Sequence, residues 1–342
     1  MLTPNVVPDF TGLRVAVVGD LIADHYLFGR PTRLSREAPV MVLRHSGEEI
    51  GAGGAANVAR NLWSLGARTL LFGAVGRDAT GRELVRLLES EEIDLEGVES
   101  VAGWVTPTKT RVLGAEPGRT MHQVLRIDRE PEAPLATEVQ ASLASRLRSL
   151  VGRIDALLVS DYGYGVAGED VAQAAREIQA AGAIVVLDPR RNFGPFRGAT
   201  AMTPNLAELA EAANMRIDEL ADVEGVRRAA AVFVQEHAPD SLLVTMGNRG
   251  MALFSREHPH GVSIRAAGSE SVVDVSGAGD TAASAYTLGL AAGLEGPRAM
   301  RLANAAAGVV VMESGTAICP LSKLRSALPG APQPAAVASP VA

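Results

Sequence analysis

Several features that define other classes of protein are scarce or missing in this sequence. Its 342 residues include one cysteine, Cys319, which excludes an intramolecular disulfide and a cysteine-rich metal cluster. Aromatic residues make up only 4%, which favours helices packed on a parallel sheet over an aromatic-rich β-sandwich. The net charge of −7 argues against a nucleic-acid-binding protein, because such proteins usually carry a basic stripe. We expect Cys319 to be a small, buried apolar residue.

Long apolar segments are also missing. No run of about 18 apolar residues occurs, so no membrane span is predicted. Residues 1–14 lack a basic stretch followed by an apolar core, so no secretory signal is expected and the cytoplasm is the predicted location. The pattern Gly-x-x-x-x-Gly-Lys-Ser/Thr is absent as well, which excludes a P-loop enzyme.

Short apolar runs that end in a polar residue form the strongest pattern that is present. They are Val15–Val18, Ala156–Val159, Ile184–Leu187 and Leu242–Val244. Such runs are typical of strands buried on both faces. Helical patterns occur at 55–65, 81–91, 137–150, 168–181, 223–236 and 280–292. The alternation predicts an α/β fold with a doubly wound, mostly parallel sheet, in which ligands bind at the carboxyl ends of the strands.

Two segments interrupt this alternation. Tyr26–Ile50 and Thr106–Asp128 alternate polar and apolar residues, with Pro or Gly between the runs. They predict antiparallel strands of a small separate sheet, and both a lid over the site and an ordinary edge hairpin remain open. The Pro/Ala-rich residues 329–342 are predicted to be disordered, so residues 1–328 are expected to form one domain.

A glycine-rich segment, Ser276–Thr281, precedes one of the predicted helices. Gly277 and Gly279 allow the backbone to approach a ligand closely, and the helix start offers free amides that attract an anion. Asp280 then has the position of a base that accepts a proton from an attacking hydroxyl. Two other interpretations remain: Asp280 caps the helix, or Gly277-x-Gly279-x-x-Ala282 binds a dinucleotide.

A second glycine-rich segment, Gly51–Asn57, opens an earlier helix. Asn57 carries both a donor and an acceptor, which suits a sugar hydroxyl, although a turn with an exposed asparagine is equally consistent with this segment alone.

Four segments in order make the chain similar to the ribokinase/PfkB family of carbohydrate kinases. They are Gly53–Ala59, Thr203–Glu208, Val244–Gly250 and Asp274–Thr281, and the resemblance extends over about residues 12–328. It implies a ribokinase-like fold with a small β-lid, ATP as phosphoryl donor, Mg²⁺ as cofactor, a sugar as substrate and a homodimer formed through the lid. No nucleic acid or membrane partner is expected.

The resemblance also implies a role for each matched residue. Asp280 is the expected base, and the amides of Gly277, Ala278, Gly279 and Asp280 form the anion hole. Asn205 and Glu208 are expected to organise Mg²⁺, although Glu208 could equally be an exposed helix residue. The expected nucleotide-binding residues are Asn205, Thr245, Gly247, Gly250 and Asn304. The expected sugar-binding residues are Asp20, Gly53, Gly54 and Asn57, with a turn at a strand end as the alternative for Asp20.

Further segments resemble the D-glycero-β-D-manno-heptose 7-phosphate kinases within this family. They lie at 18–20, 33–40, 53–57, 108–113, 126–128, 160–162 and 187–189. Those enzymes phosphorylate the anomeric hydroxyl and make the 1,7-bisphosphate used for the heptose of the lipopolysaccharide core. A phosphorylated substrate requires fixed cations. The candidate substrate-binding residues are therefore Lys109, Arg111, Arg126 and Arg190, together with Asp161.

The chain departs from this subgroup at two positions. The subgroup typically has Lys in place of Tyr164 and of Arg190, and the loss of a cation at 164 weakens or shifts phosphate recognition. Heptose kinases are often fused to a cytidylyltransferase domain, for which this sequence is too short, so the kinase is expected to act alone. A kinase of another sugar or nucleoside, and a non-catalytic nucleotide-binding protein, are the alternatives.

Overall fold

The computed structural model describes residues 7–115, 121–268 and 272–328. Within these ranges the strands are β1 (Arg14–Gly19), β2 (Leu21–Leu34), β3 (Met41–Gly54), β4 (Arg68–Gly76), β5 (Asp94–Val101), β6 (Thr108–Gly114), β7 (His122–Arg129), β8 (Ala156–Ser160), β9 (Ile184–Asp188), β10 (Ala201–Met202), β11 (Ser241–Thr245), β12 (Met251–Ser255) and β13 (Val262–Ile264). The helices are α1 (Ala55–Ser64), α2 (Ala79–Glu89), α3 (Thr137–Arg148), α4 (Glu169–Ala180), α5 (Leu206–Ala212), α6 (Val223–His237), α7 (Ala278–Ala291), α8 (Gly296–Val310) and α9 (Leu321–Ala327). Residues 329–342, for which a disordered tail was predicted, lie outside the described ranges.

Nine strands form one sheet in the order β13-β12-β11-β10-β9-β8-β1-β4-β5. The pairings from β5 across to β11 are parallel, and β12 and β13 add an antiparallel edge. Because the strands between β5 and β11 run in one direction, their carboxyl ends lie along one edge of the sheet. The predicted doubly wound, mostly parallel sheet is therefore confirmed.

Helices cover both faces of this sheet. One apolar cluster contains residues of α1, α2, α7, α8 and α9, and a second contains residues of α3 to α6. Strand β1 contributes Val15 and Val17 to the first cluster and Ala16 and Val18 to the second. Because both faces of β1 are covered, every side chain of this run is removed from water, and each Å² of buried apolar surface contributes roughly 25 cal/mol. This explains why the run is apolar without interruption. Cys319 is free and fully buried, as predicted.

The remaining four strands form a separate sheet in the order β3-β2-β6-β7, which we call the lid. As predicted, β2 pairs antiparallel with β3 and β6 pairs antiparallel with β7. The central β2–β6 pairing is parallel, and each of these strands is the first of its own hairpin. Only Asp20 lies between β1 and β2, so the lid grows directly from the carboxyl edge of the large sheet. None of the described helices combines the length and apolarity needed to cross a membrane.

Candidate active site

Asp280 lies in the first turn of α7, and its carboxylate accepts two side-chain hydrogen bonds. Asn57 Nδ2 donates to Oδ2 at 2.7 Å, and the Tyr162 hydroxyl donates to Oδ1 at 2.8 Å. The N-cap of α7 is Gly277, which makes no side-chain cap hydrogen bond. The interpretation of Asp280 as a helix cap is therefore wrong, because its oxygens are directed to α1 and to the loop after β8. Residues 272–277 form no strand, so the strand-turn-helix arrangement of a dinucleotide site is not seen there.

Gly277 allows the turn that starts α7. Its φ of 77° is left-handed, and a Cβ at this position would lie 2.6 Å from Asn57 Nδ2. A side chain would displace the amide that holds Asp280. The amides of the first helical turn lack acceptors within the helix, so together with the helix dipole they favour a bound anion.

Burial sets the acidity of Asp280. Only 4% of the residue is exposed, and desolvation raises its pKa to about 6. The hydrogen bonds from Asn57 and Tyr162 and the charge of Lys109 oppose this rise, whereas Asp24 adds to it. A carboxylate with such a pKa is mostly ionised at neutral pH and still basic enough to take a proton.

Asn57 is fully buried and belongs to a polar network. Asn61 Nδ2 donates to the Asn57 carbonyl at 3.0 Å and to Asn57 Oδ1 at 3.3 Å. Asn61 Oδ1 in turn accepts the Thr281 hydroxyl and the Cys319 amide, each at 3.0 Å. Because Asn57 Oδ1 already accepts from Asn61, its Nδ2 faces Asp280.

Gly53 and Gly54 lie where β3 passes close to β2. A Cβ at Gly53 would approach Asp24 Oδ2 to 2.6 Å, and one at Gly54 would approach the Asp20 carbonyl to 2.5 Å. Gly54 also has a φ of 57°. These glycines bring the start of α1, with Asn57, next to the lid strand that carries Asp24.

Asp20 directly follows β1 and Asp161 directly follows β8, and the carboxylate of each accepts backbone amides of a loop. The fully buried Asp20 carboxylate accepts the backbone amides of Tyr162, Tyr164 and Val166 at 2.8 to 3.2 Å, and burial raises its pKa to about 6. Asp161 Oδ2 accepts the amides of residues 190–192 at 3.2 to 3.3 Å. The contacts of both residues with a sugar stay predictions.

The lid turns a charged face toward Asp280. Pairing registers place Asp24, Lys109 and Asp128 in one row, and Tyr26, Arg111 and Arg126 in the next. Arg111 forms a buried ion pair with Asp24, and Arg126 Nη2 lies 2.6 Å from Asp128 Oδ2. Burial lowers the pKa of Lys109, against the charges of Asp24 and Asp280. Three predicted substrate cations are thus neighbours on the lid.

Residues from several strand ends line a cleft of about 250 Å³. The residues that were predicted from the sequence are Asp161, Arg190, Asn205, Glu208 and Thr245, and the structure adds Tyr162, Asp188, Pro189 and Thr203. Arg190, predicted to hold a sugar phosphate, therefore lies with the predicted nucleotide and metal residues rather than with the lid cations.

Carboxylates concentrate negative charge in this cleft. Burial raises the pKa of Glu208 to about 7, and Arg190 opposes the rise. Burial and the facing carboxylates of Asp280 and Glu208 raise the pKa of Asp188 well above its ordinary value. A cation or a bound metal would relieve this repulsion.

Asn205 and Glu208 also form the capping box of α5. Asn205 Oδ1 accepts the amides of Ala207 and Glu208, and Glu208 Oε2 accepts the amide of Asn205 at 2.8 Å. In the described parts of the chain, no three His, Cys, Asp or Glu side chains converge as a direct metal site. The oxygen donors fit Mg²⁺, which usually keeps several waters and takes one or two carboxylates plus phosphate oxygens.

The turn after β11 supplies the remaining predicted nucleotide residues. Gly247 and Gly250 both have positive φ, and a Cβ at Gly250 would lie 2.0 Å from the Ile264 carbonyl. On α8, Asn304 donates to the Arg265 carbonyl at 2.9 Å and accepts the Ala267 amide at 3.3 Å. Asn304 thereby fixes the segment that follows β13.

The structure brings together residues from α1, α7, the lid and the ends of β1, β8, β9 and β11. Five residues of this site had no role assigned from the sequence: Asp24, Tyr162, Asp188, Pro189 and Thr203. Asp188 ends an apolar run that was recognised, so its position was a usable signal. Tyr162 lies in the segment 160–162 that resembles heptose kinases, but its role follows from its contact with Asp280, and Asp24 gave no signal because its role follows from its pairing with Arg111.

The fold, the glycine-rich start of α7 and the buried aspartate define a sugar kinase. The chain belongs to the pfkB family of carbohydrate kinases, whose model matches residues 13–324. A protein named "Bifunctional protein HldE" from Gluconacetobacter diazotrophicus is 38% identical over 94% of this chain and 64% of its own length. A protein of the same name from Magnetococcus marinus is 41% identical over 92% and 63%. The chain thus spans slightly less than two thirds of these relatives.

Solved structures with the same fold are more distant in sequence. Arabidopsis thaliana ribokinase complexed with ribose and ATP has a TM-score of 0.71 at 20% identity, covering 93% of this chain and 99% of that one. Escherichia coli phosphofructokinase-2 in complex with potassium has a TM-score of 0.73 at 22% identity, covering 92% and 97%. These structures establish the ribokinase-like fold, and the family implies ATP as the phosphoryl donor.

Proposed function

We propose that this sugar kinase transfers the γ-phosphoryl group of ATP to the anomeric hydroxyl of a sugar phosphate. Our best candidate for the substrate is D-glycero-β-D-manno-heptose 7-phosphate, which would give the 1,7-bisphosphate. The observation that carries the proposal is the buried Asp280 carboxylate, which lies at a helix start between the lid cations and the acidic cleft. The motifs shared with heptose 7-phosphate kinases and the HldE relatives support the choice of sugar, and the family match supports residues 1–328 as one kinase domain.

In this mechanism Asp280 is the base. Its carboxylate accepts the proton of the attacking hydroxyl, whose oxygen forms the new bond to phosphorus as the bond to ADP breaks. The backbone amides of residues 277–280 stabilise the charge that develops on the phosphoryl oxygens. A pKa of about 6 suits this role at neutral pH.

The nucleotide would occupy the cleft and the turn after β11. Thr245, Gly247 and Gly250 would line it, Asn304 would lie near the base, and Arg190 would pair with the triphosphate rather than with the sugar. Mg²⁺ would be held through Asn205 and Glu208, and when bound it neutralises phosphate charge. The pKa of Glu208, raised to about 7 chiefly by burial, supports this assignment, because a bound cation would stabilise the ionised form of a carboxylate that burial disfavours.

The sugar would lie between the lid and the start of α1. Gly53, Gly54 and Asn57 form one wall, Asp24 supplies a carboxylate for sugar hydroxyls, and Asp20 and Asp161 hold the surrounding loops. Lys109, Arg111 and Arg126 would face the phosphate of the substrate. A charge-assisted bond from a lid arginine to a phosphate is worth about 1.5–3 kcal/mol, which separates phosphorylated from unphosphorylated sugars.

One observation favours a second candidate, a kinase of an unphosphorylated sugar or nucleoside. Arg111 already pairs with Asp24, and Arg126 already pairs with Asp128. Tyr164, where the heptose subgroup has Lys, directs its hydroxyl to Glu130 at 2.7 Å. Phosphate recognition would then depend on Lys109 and on exchange of partners at Arg126.

We also propose that the lid joins two copies of the chain. Strand β7 is exposed along its whole length, and Leu125 and Ile127 are 54% and 53% exposed. Both lie on the face opposite Arg126 and Asp128. An unpaired edge strand with apolar side chains is a surface that proteins usually cover.

A coupled ATPase assay tests the proposed function with heptose 7-phosphate, fructose 6-phosphate and ribose as acceptors. We expect turnover to be fastest with heptose 7-phosphate and to require a divalent metal. Preference for ribose or for unphosphorylated heptose would replace the first candidate by the second. Binding of ATP without transfer to any acceptor in a wider panel of sugars and nucleosides would favour a non-catalytic nucleotide-binding protein.

A further inference from the structure

Each oxygen of the Asp280 carboxylate accepts a hydrogen bond from a different side chain. Tyr162 donates to one oxygen of Asp280 and Asn57 to the other, at 2.8 and 2.7 Å. We propose that Tyr162 is a positioning residue, whose hydroxyl fixes Asp280 in the rotamer and charge state needed to deprotonate the acceptor. This inference rests on the proposed role of Asp280 as the base.

Tyr162 is itself firmly placed. Its backbone amide donates to the buried Asp20 carboxylate at 2.8 Å, and Tyr164 and Val166 anchor the same loop to that carboxylate. The backbone amide and the hydroxyl of Tyr162 are thus both bonded to buried aspartates. Burial and the charges of Asp280 and Asp188 raise the pKa of Tyr162, so its hydroxyl stays a donor.

The opposite side of the carboxylate is equally constrained. Asn61 donates to Asn57 Oδ1, which leaves Asn57 Nδ2 as the group that faces Asp280. Rotation of the Asn57 amide would therefore lose the bond from Asn61 and turn the Asn57 oxygen toward the Asp280 carboxylate, which is unfavourable. With both oxygens held in this way, loss of either donor would free the carboxylate to turn.

Tyr162 also connects the base to the lid. Lys109 Nζ lies 4.9 Å from the centroid of the Tyr162 ring, close enough for a cation–π contact. The charged groups that influence Asp280 are thus Lys109 from β6, Asp24 from β2 and Asp188 from β9. The hydroxyl and the ring of Tyr162 thus make separate contacts: the hydroxyl donates to the Asp280 carboxylate, and the ring packs against the Lys109 ammonium.

Two substitutions separate these tasks. Tyr162→Phe keeps the ring under Lys109 and removes only the hydroxyl, whereas Tyr162→Leu removes both. The matched control is Tyr164→Phe, two residues along the same loop, because its hydroxyl is bonded to Glu130 instead of Asp280. The three variants and the parent enzyme are compared for kcat and KM of the sugar phosphate between pH 5 and 9.

For Tyr162→Phe we expect the acidic midpoint of the kcat profile to rise by about one pH unit and kcat at neutral pH to fall about ten-fold. The shift follows from the loss of a hydrogen bond to a charged group. It accounts for about a two-fold fall in kcat at neutral pH, and the remainder follows from the loss of a fixed carboxylate orientation. The KM of the sugar phosphate should stay close to that of the parent, and only Tyr162→Leu should raise it as well. Tyr164→Phe should leave the acidic midpoint unchanged.

A direct titration of Asp280 provides a readout independent of activity. Carbon-13 NMR of selectively labelled aspartate carboxyls, with Asp280→Asn to assign the signal, should show the Asp280 pKa higher in Tyr162→Phe than in the parent. An unchanged pKa in an active enzyme overturns the positioning role and leaves the kinase proposal intact. A parent without sugar kinase activity and a shifted Asp280 pKa would instead contradict the proposed function while supporting the contact.

Discussion

Asn57 and Asp280 are 223 positions apart in the sequence, and their side chains meet in a buried hydrogen bond of 2.7 Å. The bond joins the first turn of α1 to the first turn of α7, so two glycine-rich segments face each other across the site. One segment brings the lid close through Gly53, and the other provides the amides for an anion through Gly277. Their contact places both segments at one site.

Replacement of the base is the most direct test of the mechanism. Asp280→Asn keeps the shape of the side chain and removes its ability to take a proton. We expect kcat to fall by at least about 100-fold, the scale of general-base loss, while ATP affinity measured by calorimetry stays nearly unchanged. Asp222→Asn is the control, because asparagine can still cap α6. Near-normal turnover of Asp280→Asn would refute the assignment of the base.

The raised pKa of Asp280 also predicts how stability depends on pH. A carboxyl whose pKa is about 6 in the folded protein, above its ordinary value, binds more protons when folded than when unfolded between these values. The ionised form is therefore destabilising, and stability from this group falls as the pH rises through about 6. Without ligands, Asp280→Asn should raise the free energy of unfolding at pH 7.5 by about 1–3 kcal/mol, and the gain should disappear near pH 4. Denaturation at both pH values checks this, and a gain independent of pH would contradict it.

The sequence predicted the framework of the fold more completely than its site. The runs at Val15–Val18 and Ala156–Val159 are buried on both faces. Such a run predicts a strand from its local pattern alone, so no knowledge of distant residues is needed. The predicted helices match α1, α2, α3, α4, α6 and α7 to within two residues at each end. The weaker patterns of β4, β5 and β10 were not recognised. β10 has only two residues, too few for any periodicity.

Side-chain direction could not be predicted, and this limited the prediction of the site. Asp20 and Asp161 were placed correctly at strand ends, but their carboxylates turn inward to backbone amides of neighbouring loops. Asp24 lies on a lid strand whose partner, Arg111, is 87 residues away. Only the register of β2 with β6 brings these two charges together. A single sequence contains no local pattern that predicts such a pairing between distant residues.

The lid cations should distinguish phosphorylated from unphosphorylated substrates. Arg126 is half exposed, and its one ion-pair partner among the described residues is Asp128, so it is the lid arginine best able to exchange its partner for a phosphate. Arg126→Gln should raise the KM of heptose 7-phosphate about ten-fold and leave that of the unphosphorylated sugar unchanged. Arg129→Gln, on the other face of the same strand, is the matched control. Equal effects on both sugars would argue against phosphate recognition by Arg126.

The metal assignment predicts a specific change in Mg²⁺ dependence. Glu208→Gln removes a charge from the cleft but keeps the length of the side chain. We expect the Mg²⁺ concentration for half-maximal activity to rise about ten-fold, with partial recovery of kcat at high Mg²⁺. Glu211→Gln, one turn later on the same helix and paired with Arg191, should leave the Mg²⁺ dependence unchanged. A lower kcat with an unaltered Mg²⁺ requirement would point to a purely structural role for Glu208 in the α5 capping box.

The exposed face of β7 predicts the state of assembly. Leu125→Glu places a charge in the centre of the proposed contact between two lids, where burial of an unpaired carboxylate is unfavourable. Sedimentation velocity should show a dimer for the parent and a monomer for this variant at the same concentration. Val223→Glu is the control, since Val223 is 63% exposed at the start of α6, away from the lid. A parent that sediments as a monomer, or a dimer that tolerates Leu125→Glu, would exclude this face as the interface.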